Sequence, residues 1–250
     1  MSAQNLEGTI NEITILRKLD HPNIIKLYRV YENDSQVSLV LDYLEGGDLF
    51  SRIMEKSKLN ESSVAKLTQN LLNTLEYLNT YNIAHRDIKL ENIMMVSKND
   101  DSNFKLVDFG LAHEVNESMT QRCGSPGYVA PEILRGFKYG AKVDTFSVGC
   151  VVYILLSGKM PFFGRDTKEV VRKNREGIIC FRDRVWEHVS AEAINFIVKL
   201  MEPKPEERVD VHSALLHPWF RYQLRRNSNE DYMDWDEDFD ISTSRGSSLK

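Results

Sequence analysis

Apolar residues recur at helical spacing near the start of the chain, at Ile10, Ile13, Leu16 and Leu19, and the breaker His21-Pro22 closes that stripe. Residues 1–8 before it are polar. Two β-rich runs follow at 24–31 and 36–44, and the polar cluster at 32–35 between them predicts a hairpin. Val64, Leu67, Leu71, Leu72, Leu75 and Leu78 mark one face of a long amphipathic helix over 61–81. Short apolar runs at 93–96 and 104–107 read as strands. A further apolar run opens at Asp144 and ends at Leu156, too short and too bounded to span a membrane. Beyond Arg226 the chain turns to Glu, Asp, Ser and scattered aromatics, which predicts a disordered tail over 227–250. No internal repeat is visible.

Composition narrows the class without naming a chemistry. The chain has 250 residues, 42% of them hydrophobic and 28% charged, as in an ordinary soluble globular protein. A net charge of −5 gives no global pull toward nucleic acid or an anionic membrane. Cys123, Cys150 and Cys180 are scattered and form no C-x-x-C pair, which points to a reducing compartment and a cytoplasmic location rather than a disulfide framework. The N-terminus carries no charged-then-apolar signal pattern.

The chemistry concentrates in His85-Arg86-Asp87-Ile88-Lys89-Leu90-Glu91-Asn92, a loop running into the first short strand. Asp87 can take a proton from a hydroxyl, Lys89 can neutralise charge on a transferring phosphoryl group, and Asn92 offers an amide oxygen to a hard cation. Asp108-Phe109-Gly110 supplies a second oxygen ligand behind the second short strand, and Ala130-Pro131-Glu132 lies further on.

H-R-D-x-x-x-x-N, D-F-G and A-P-E in this order are the protein-kinase signature set, and the chain resembles that family over residues 9 to about 222. Lys89 two places after Asp87, with Gly124-Ser125-Pro126-Gly127-Tyr128, is the serine/threonine pattern. Gly46-Gly47-Asp48-Leu49-Phe50 and Leu156-Ser157-Gly158-Lys159-Met160-Pro161-Phe162 are similar to the calcium/calmodulin-dependent kinase group.

The resemblance implies an α+β, two-lobed kinase-like fold. Residues 1–44 would be a reduced small lobe (one helix plus a β-hairpin), 45–222 a mainly helical large lobe, and 223–250 an acidic tail. It implies ATP and magnesium as cofactors and protein serine or threonine as acceptor. Asp87 and Lys89 would be catalytic, and Asn92 and Asp108 would hold the metal. Leu41 as gatekeeper, Asp42 to Leu44 as hinge, Asp48 at the ribose, and Met94 would contact ATP. Glu12, Arg86, Phe109, Ser125 and Asp144 would be structural or regulatory, and Thr120, with Ser118 behind it, a phosphate acceptor pairing Arg86. Glu132 and Arg208 would form a buried ion pair. The stretch 203–220 resembles the large lobe's closing helices, and the run from Asp144 its buried central helix, with Phe146 where tryptophan is more usual. Asp48 and Glu91 would favour substrates with arginine three residues before the acceptor, a spacing that Arg225 and Ser228 repeat.

The departures matter as much. The sequence contains neither the G-x-G-x-x-G loop nor the V-A-I-K lysine, and Gly8 has no companion, so the chain reads as N-terminally truncated. Glu12 is left without an evident partner, and the hairpin should expose an edge and an apolar face. A catalytically impaired, pseudokinase-like binding module is therefore the alternative to an active kinase. Asp234-x-Asp236-x-Asp238 starts like a calcium loop, but Phe239 stands where glycine is needed. No basic amphipathic helix follows residue 222, so calmodulin control is not supported.

Overall fold

The computed structural model describes residues 3–33, 36–56, 59–115, 119–221 and 223. Ser118, Arg225, Ser228 and the acidic run of the tail lie outside them. In chain order the first elements are α1 (Ala3–Leu16), β1 (Leu27–Glu32), β2 (Val37–Leu41), α2 (Leu49–Lys56), α3 (Glu61–Thr80), β3 (Ile83–Ala84), β4 (Ile93–Met95), β5 (Phe104–Leu106) and β6 (His113–Glu114). The rest is helical: α4 (Pro131–Arg135), α5 (Lys142–Ser157), α6 (Thr167–Glu176), α7 (Ala191–Leu200) and α8 (Val211–Leu215).

The first helix differs from its expectation. It begins at Ala3 within the polar segment and ends at Leu16, after which Lys18 and Leu19 bond back to Ile15 and Leu16 in a tightened last turn. Ile15 and Leu16 reach the core, but Ile10 is 54% exposed. Ile10 faces a cleft of about 790 Å³ between α1 and the segment around Leu111 and Gln121.

The hairpin forms, shorter than the β-rich runs that predict it. Val30 stands opposite Leu39 and Tyr31 opposite Ser38. Ile24 leaves the run to bridge Leu106, and Asp48 beyond the hairpin bridges Met94, so both ends of the small lobe grip the β4–β5 ladder. Among the described residues β1 and β2 pair only with each other, and Tyr28, Tyr31 and Val40 are exposed, as the sequence led one to expect.

The large lobe is built on α5. Every residue from Val143 to Ser157 is buried, and α3 and α7 pack against it. The apolar stripe of α3 is fully buried, and Asn60 caps its start by accepting from the Ser63 N–H at 2.7 Å. One carboxylate ties the start of α3 to the last described helical residues. Glu61 accepts from the Ser190 N–H (3.0 Å) and hydroxyl, from Trp219 Nε1 (2.9 Å) and from Gln223 Nε2 (2.6 Å). Gln223 is therefore buried lobe, not the start of a tail, because its amide completes that cluster. Among the described residues no helix is long and apolar enough to cross a membrane.

Candidate active site

The site begins at the buried N-terminal end of α5. Asp144 accepts from the His85 N–H (2.7 Å) and the Arg86 N–H (2.8 Å), fixing the loop between β3 and β4. Burial pushes the Asp144 carboxyl above the usual range, against the pull of His85 and those two donors. His85 Nδ1 accepts from the Asp87 N–H (3.3 Å), which leaves the ring proton on Nε2, facing the Val107 carbonyl at 3.1 Å. Burial holds this imidazole below its ordinary pKa, so it stays neutral. Arg86 has φ +67° and Asp108 φ +60°, left-handed backbone that costs a side-chain-bearing residue on the order of 1 kcal/mol or more. Strain therefore flanks the chemistry on both sides.

Asp87 is the point where the predicted residues meet. Its Oδ2 accepts from Lys89 Nζ (2.7 Å) and Asn92 Nδ2 (3.1 Å), and its Oδ1 from the Ser125 hydroxyl (2.8 Å). Lys89 Nζ also reaches Ser125 Oγ at 3.0 Å. A carboxylate offers about four acceptor positions, so three bonds leave one open on Oδ1. Asn92 spends its amide NH₂ on Asp87, which turns its carbonyl oxygen away as the unused end.

The D-F-G segment is held from α1. Phe109 is fully buried with its ring edge on His85, centroids 4.7 Å apart. The Phe109 N–H donates to Glu12 Oε1 at 3.2 Å, so Glu12 has a partner that its sequence context does not suggest. That partner is a backbone amide 97 residues away in the chain. Burial raises the Glu12 pKa, the Phe109 N–H opposes this, and the nearby Asp108 charge adds to it. Asn11, which no sequence motif singles out, donates to the carbonyls of Phe109 (3.3 Å), Gly110 (3.2 Å) and Ala112 (2.8 Å).

Arg86 reaches the Leu111 carbonyl (2.7 Å), the Tyr139 hydroxyl (3.0 Å) and Gln121 Oε1 (3.4 Å). Gln121, not the exposed Thr120, is the activation-segment side chain set against it. The Glu132–Arg208 pair is present and bidentate, at 2.7 and 3.0 Å, with Arg208 also over the Phe146 ring at 5.0 Å.

At the hinge, Leu41 ends β2 opposite Leu27, and Leu41 and Leu44 are half-buried against the core. Asp42 is tied back to the small lobe: its N–H donates to Lys26 O (3.3 Å), and its carboxylate accepts from the Lys26 N–H and Tyr28 and pairs with Lys105. Met94 is half-buried between the fully buried Ile93 and Met95, on the opposite face of β4. Asp48 caps α2, accepting from the Ser51 N–H and hydroxyl, both at 2.8 Å. Arg52, also outside every motif, clamps this region by donating to Gly46 O, Ser97 O and Asp100 O and pairing with Asp101 at 2.8 Å. Only glycine fits at 46, since a Cβ there would lie 2.5 Å from Met95 O. For Asn11 and Arg52 only the fold reveals the partners.

The profile described as "Protein kinase domain" matches residues 1–220. The chain is 38% identical over 218 residues to calcium-dependent protein kinase 5 of Plasmodium berghei, covering 86% of this chain and 39% of that protein. It is 39% identical over 210 residues to calcium/calmodulin-dependent protein kinase type 1 of Macrobrachium nipponense, covering 84% and 61%. It is 36% identical over 219 residues to myosin light chain kinase A of Dictyostelium discoideum, covering 87% and 74%. The chain thus spans well under half the length of the Plasmodium relative.

Proposed function

The chain belongs to the protein kinase domain family, and from that premise we propose that it transfers the γ-phosphoryl group of ATP to serine or threonine hydroxyls of protein substrates. The observation that carries this reading is the Asp87 carboxylate, held by Lys89, Asn92 and Ser125 with one acceptor position open on Oδ1. The substrate hydroxyl donates to that position. Its oxygen forms a bond to the γ-phosphorus, Asp87 takes the proton, and the bond to the β–γ bridging oxygen breaks to release ADP. Lys89 stands beside Asp87 with its ammonium positioned to balance charge on the phosphoryl oxygens.

Two protein oxygens suit magnesium, which completes its shell with nucleotide phosphates and water. The unused carbonyl oxygen of Asn92 and the Asp108 carboxylate, whose Oδ1 accepts only a long bond from the Gly110 N–H (3.3 Å), fit that role. When bound there, magnesium supplies positive charge against the phosphates.

The hinge from Asp42 to Leu44, with Leu41 as gatekeeper and Met94, would take the base, and Asp48 the ribose. Asp48 and Glu91 would favour a substrate arginine three residues before the acceptor. Three cysteines without disulfide partners accord with a reducing, cytoplasmic setting.

The test is transfer of label from γ-³²P-ATP to a serine peptide. Turnover should fall about a thousandfold or more in Asp87→Asn, whose shape is unchanged, with Tm within a few degrees. An inert chain that still binds peptide would instead favour the non-catalytic binding module.

A further inference from the structure

Helix α6 is polar almost throughout, yet its one fully buried side chain is an amide, Asn174. A buried asparagine in a helix interior breaks the usual pattern, and such breaks tend to mark functional positions. Both ends of this amide are used, and both on the same loop. Asn174 Oδ1 accepts from the Gly127 N–H at 2.9 Å, and Asn174 Nδ2 donates to the Val129 carbonyl at 2.8 Å. One donor and one acceptor as partners fix which way the amide points.

The gripped loop starts at Ser125, whose hydroxyl donates to Asp87. The Ser125 carbonyl accepts from the N–H groups of Tyr128 and Val129, both at 3.1 Å, so residues 125–129 move as one turn. Ser147 of α5 holds the Tyr128 carbonyl at 2.9 Å. Gly127 sits at φ +92°, and a Cβ there would lie 2.7 Å from Met160 Cε. Through Ser125 this turn lies beside the Asp87 carboxylate that an acceptor hydroxyl would approach.

We propose that Asn174 is a positioning residue for peptide substrate: by holding Gly127 and Val129 it sets the surface beside Asp87 on which the acceptor segment lies. It couples α6, a mostly polar helix, to the reaction centre through the turn. The proposal rests on the kinase reading above, and the experiment separates the two.

Asn174→Leu keeps the branched heavy-atom shape and removes both bonds. Asn174→Asp keeps the acceptor for Gly127 and loses the donor to Val129. Arg172→Ala, on the exposed side of the same helix, is the control. Affinity for a fluorescein-labelled serine peptide with arginine three residues before the serine is read by anisotropy, alongside peptide KM, kcat and KM for ATP. Asn174→Leu should raise peptide Kd and KM about fivefold and leave kcat and KM for ATP within about twofold. Asn174→Asp should fall between, and Arg172→Ala should match the unmodified chain. Amide exchange at Gly127 should quicken about tenfold in Asn174→Leu. Equal peptide affinities, or losses that follow Tm and strike kcat and ATP alike, would overturn the proposal. If Asn174→Leu fails to fold, Asn174→Asp decides the matter by the same readouts. A chain that binds peptide without turning it over would defeat the kinase reading alone, and the affinities would still decide the role of Asn174.

Discussion

Glu12 accepts the Phe109 N–H at 3.2 Å, so the first helix holds the D-F-G segment through a backbone bond. The carboxyl is half-buried, beside Asp108, and its pKa is raised. In the window between the ordinary glutamate range and this higher value the folded chain binds more protons than the unfolded one. Stability therefore falls as pH rises through that window. Glu12→Gln keeps an acceptor for Phe109 and removes the charge, so its Tm at pH 7 should equal or exceed that of the unmodified chain and lose the slope. Glu12→Ala leaves the N–H unmet and should cost about 1 kcal/mol. Thermal melts across pH 4 to 8 would check both, and a lower Tm for Glu12→Gln would count against the account.

Gln121 gives Arg86 a neutral oxygen at 3.4 Å where an anion would bind more strongly. Gln121→Glu should raise Tm, since a charge-assisted bond is worth about 1.5–3 kcal/mol against about 1 for a neutral one. Thr120→Ala, at an exposed position, should leave Tm unchanged. Calorimetry on the single variants and on Gln121→Glu with Arg86→Ala would show whether the gain depends on the guanidinium.

Ser125 bridges Asp87 and Lys89. Removing its hydroxyl should loosen both, lowering kcat about tenfold while KM for ATP stays within about twofold. Steady-state rates for Ser125→Ala and Ser125→Thr would test this, and Thr should restore most of the loss because it keeps the donor. Equal rates for Ala and Thr would mean that the bridge plays no part in turnover.

Glu132 and Arg208 are both buried, and breaking the pair from one side strands a charge. Glu132→Gln should cost about 3–5 kcal/mol by denaturant unfolding. Replacing both, as Glu132→Leu with Arg208→Met, should cost less than the two single changes summed. Arg208 also donates to the Glu202 and Lys142 carbonyls, so the double variant should not regain full stability. Strict additivity would show that the two charges act independently.

Much of this protein was legible from local pattern. The stripe of α3 repeats within a turn or two, and burial of such a face against a core yields a helix. Asp87, Lys89 and Asn92 lie within six positions of one another, so their meeting needed only a loop of ordinary geometry. Polar partners far apart in the chain were another matter. Asn11 meets Phe109 98 residues away, Asn174 meets Gly127 47 away, and Glu61 meets Gln223 162 away. An amide or carboxylate on a helix reads as a solvated residue until another segment is packed against it. For the same reason Glu12 reads as unpartnered and Gln223 as part of a tail until the fold is seen. Sequence by itself determined the long α3 helix and the hairpin, and brought the candidate residues Asp87, Lys89 and Asn92 close together, because those depend on near neighbours and residue type. Only the tertiary structure decided which backbone groups the buried polar side chains satisfy, because a buried N–H or carbonyl must be met by whichever side chain the packing brings within about 3 Å.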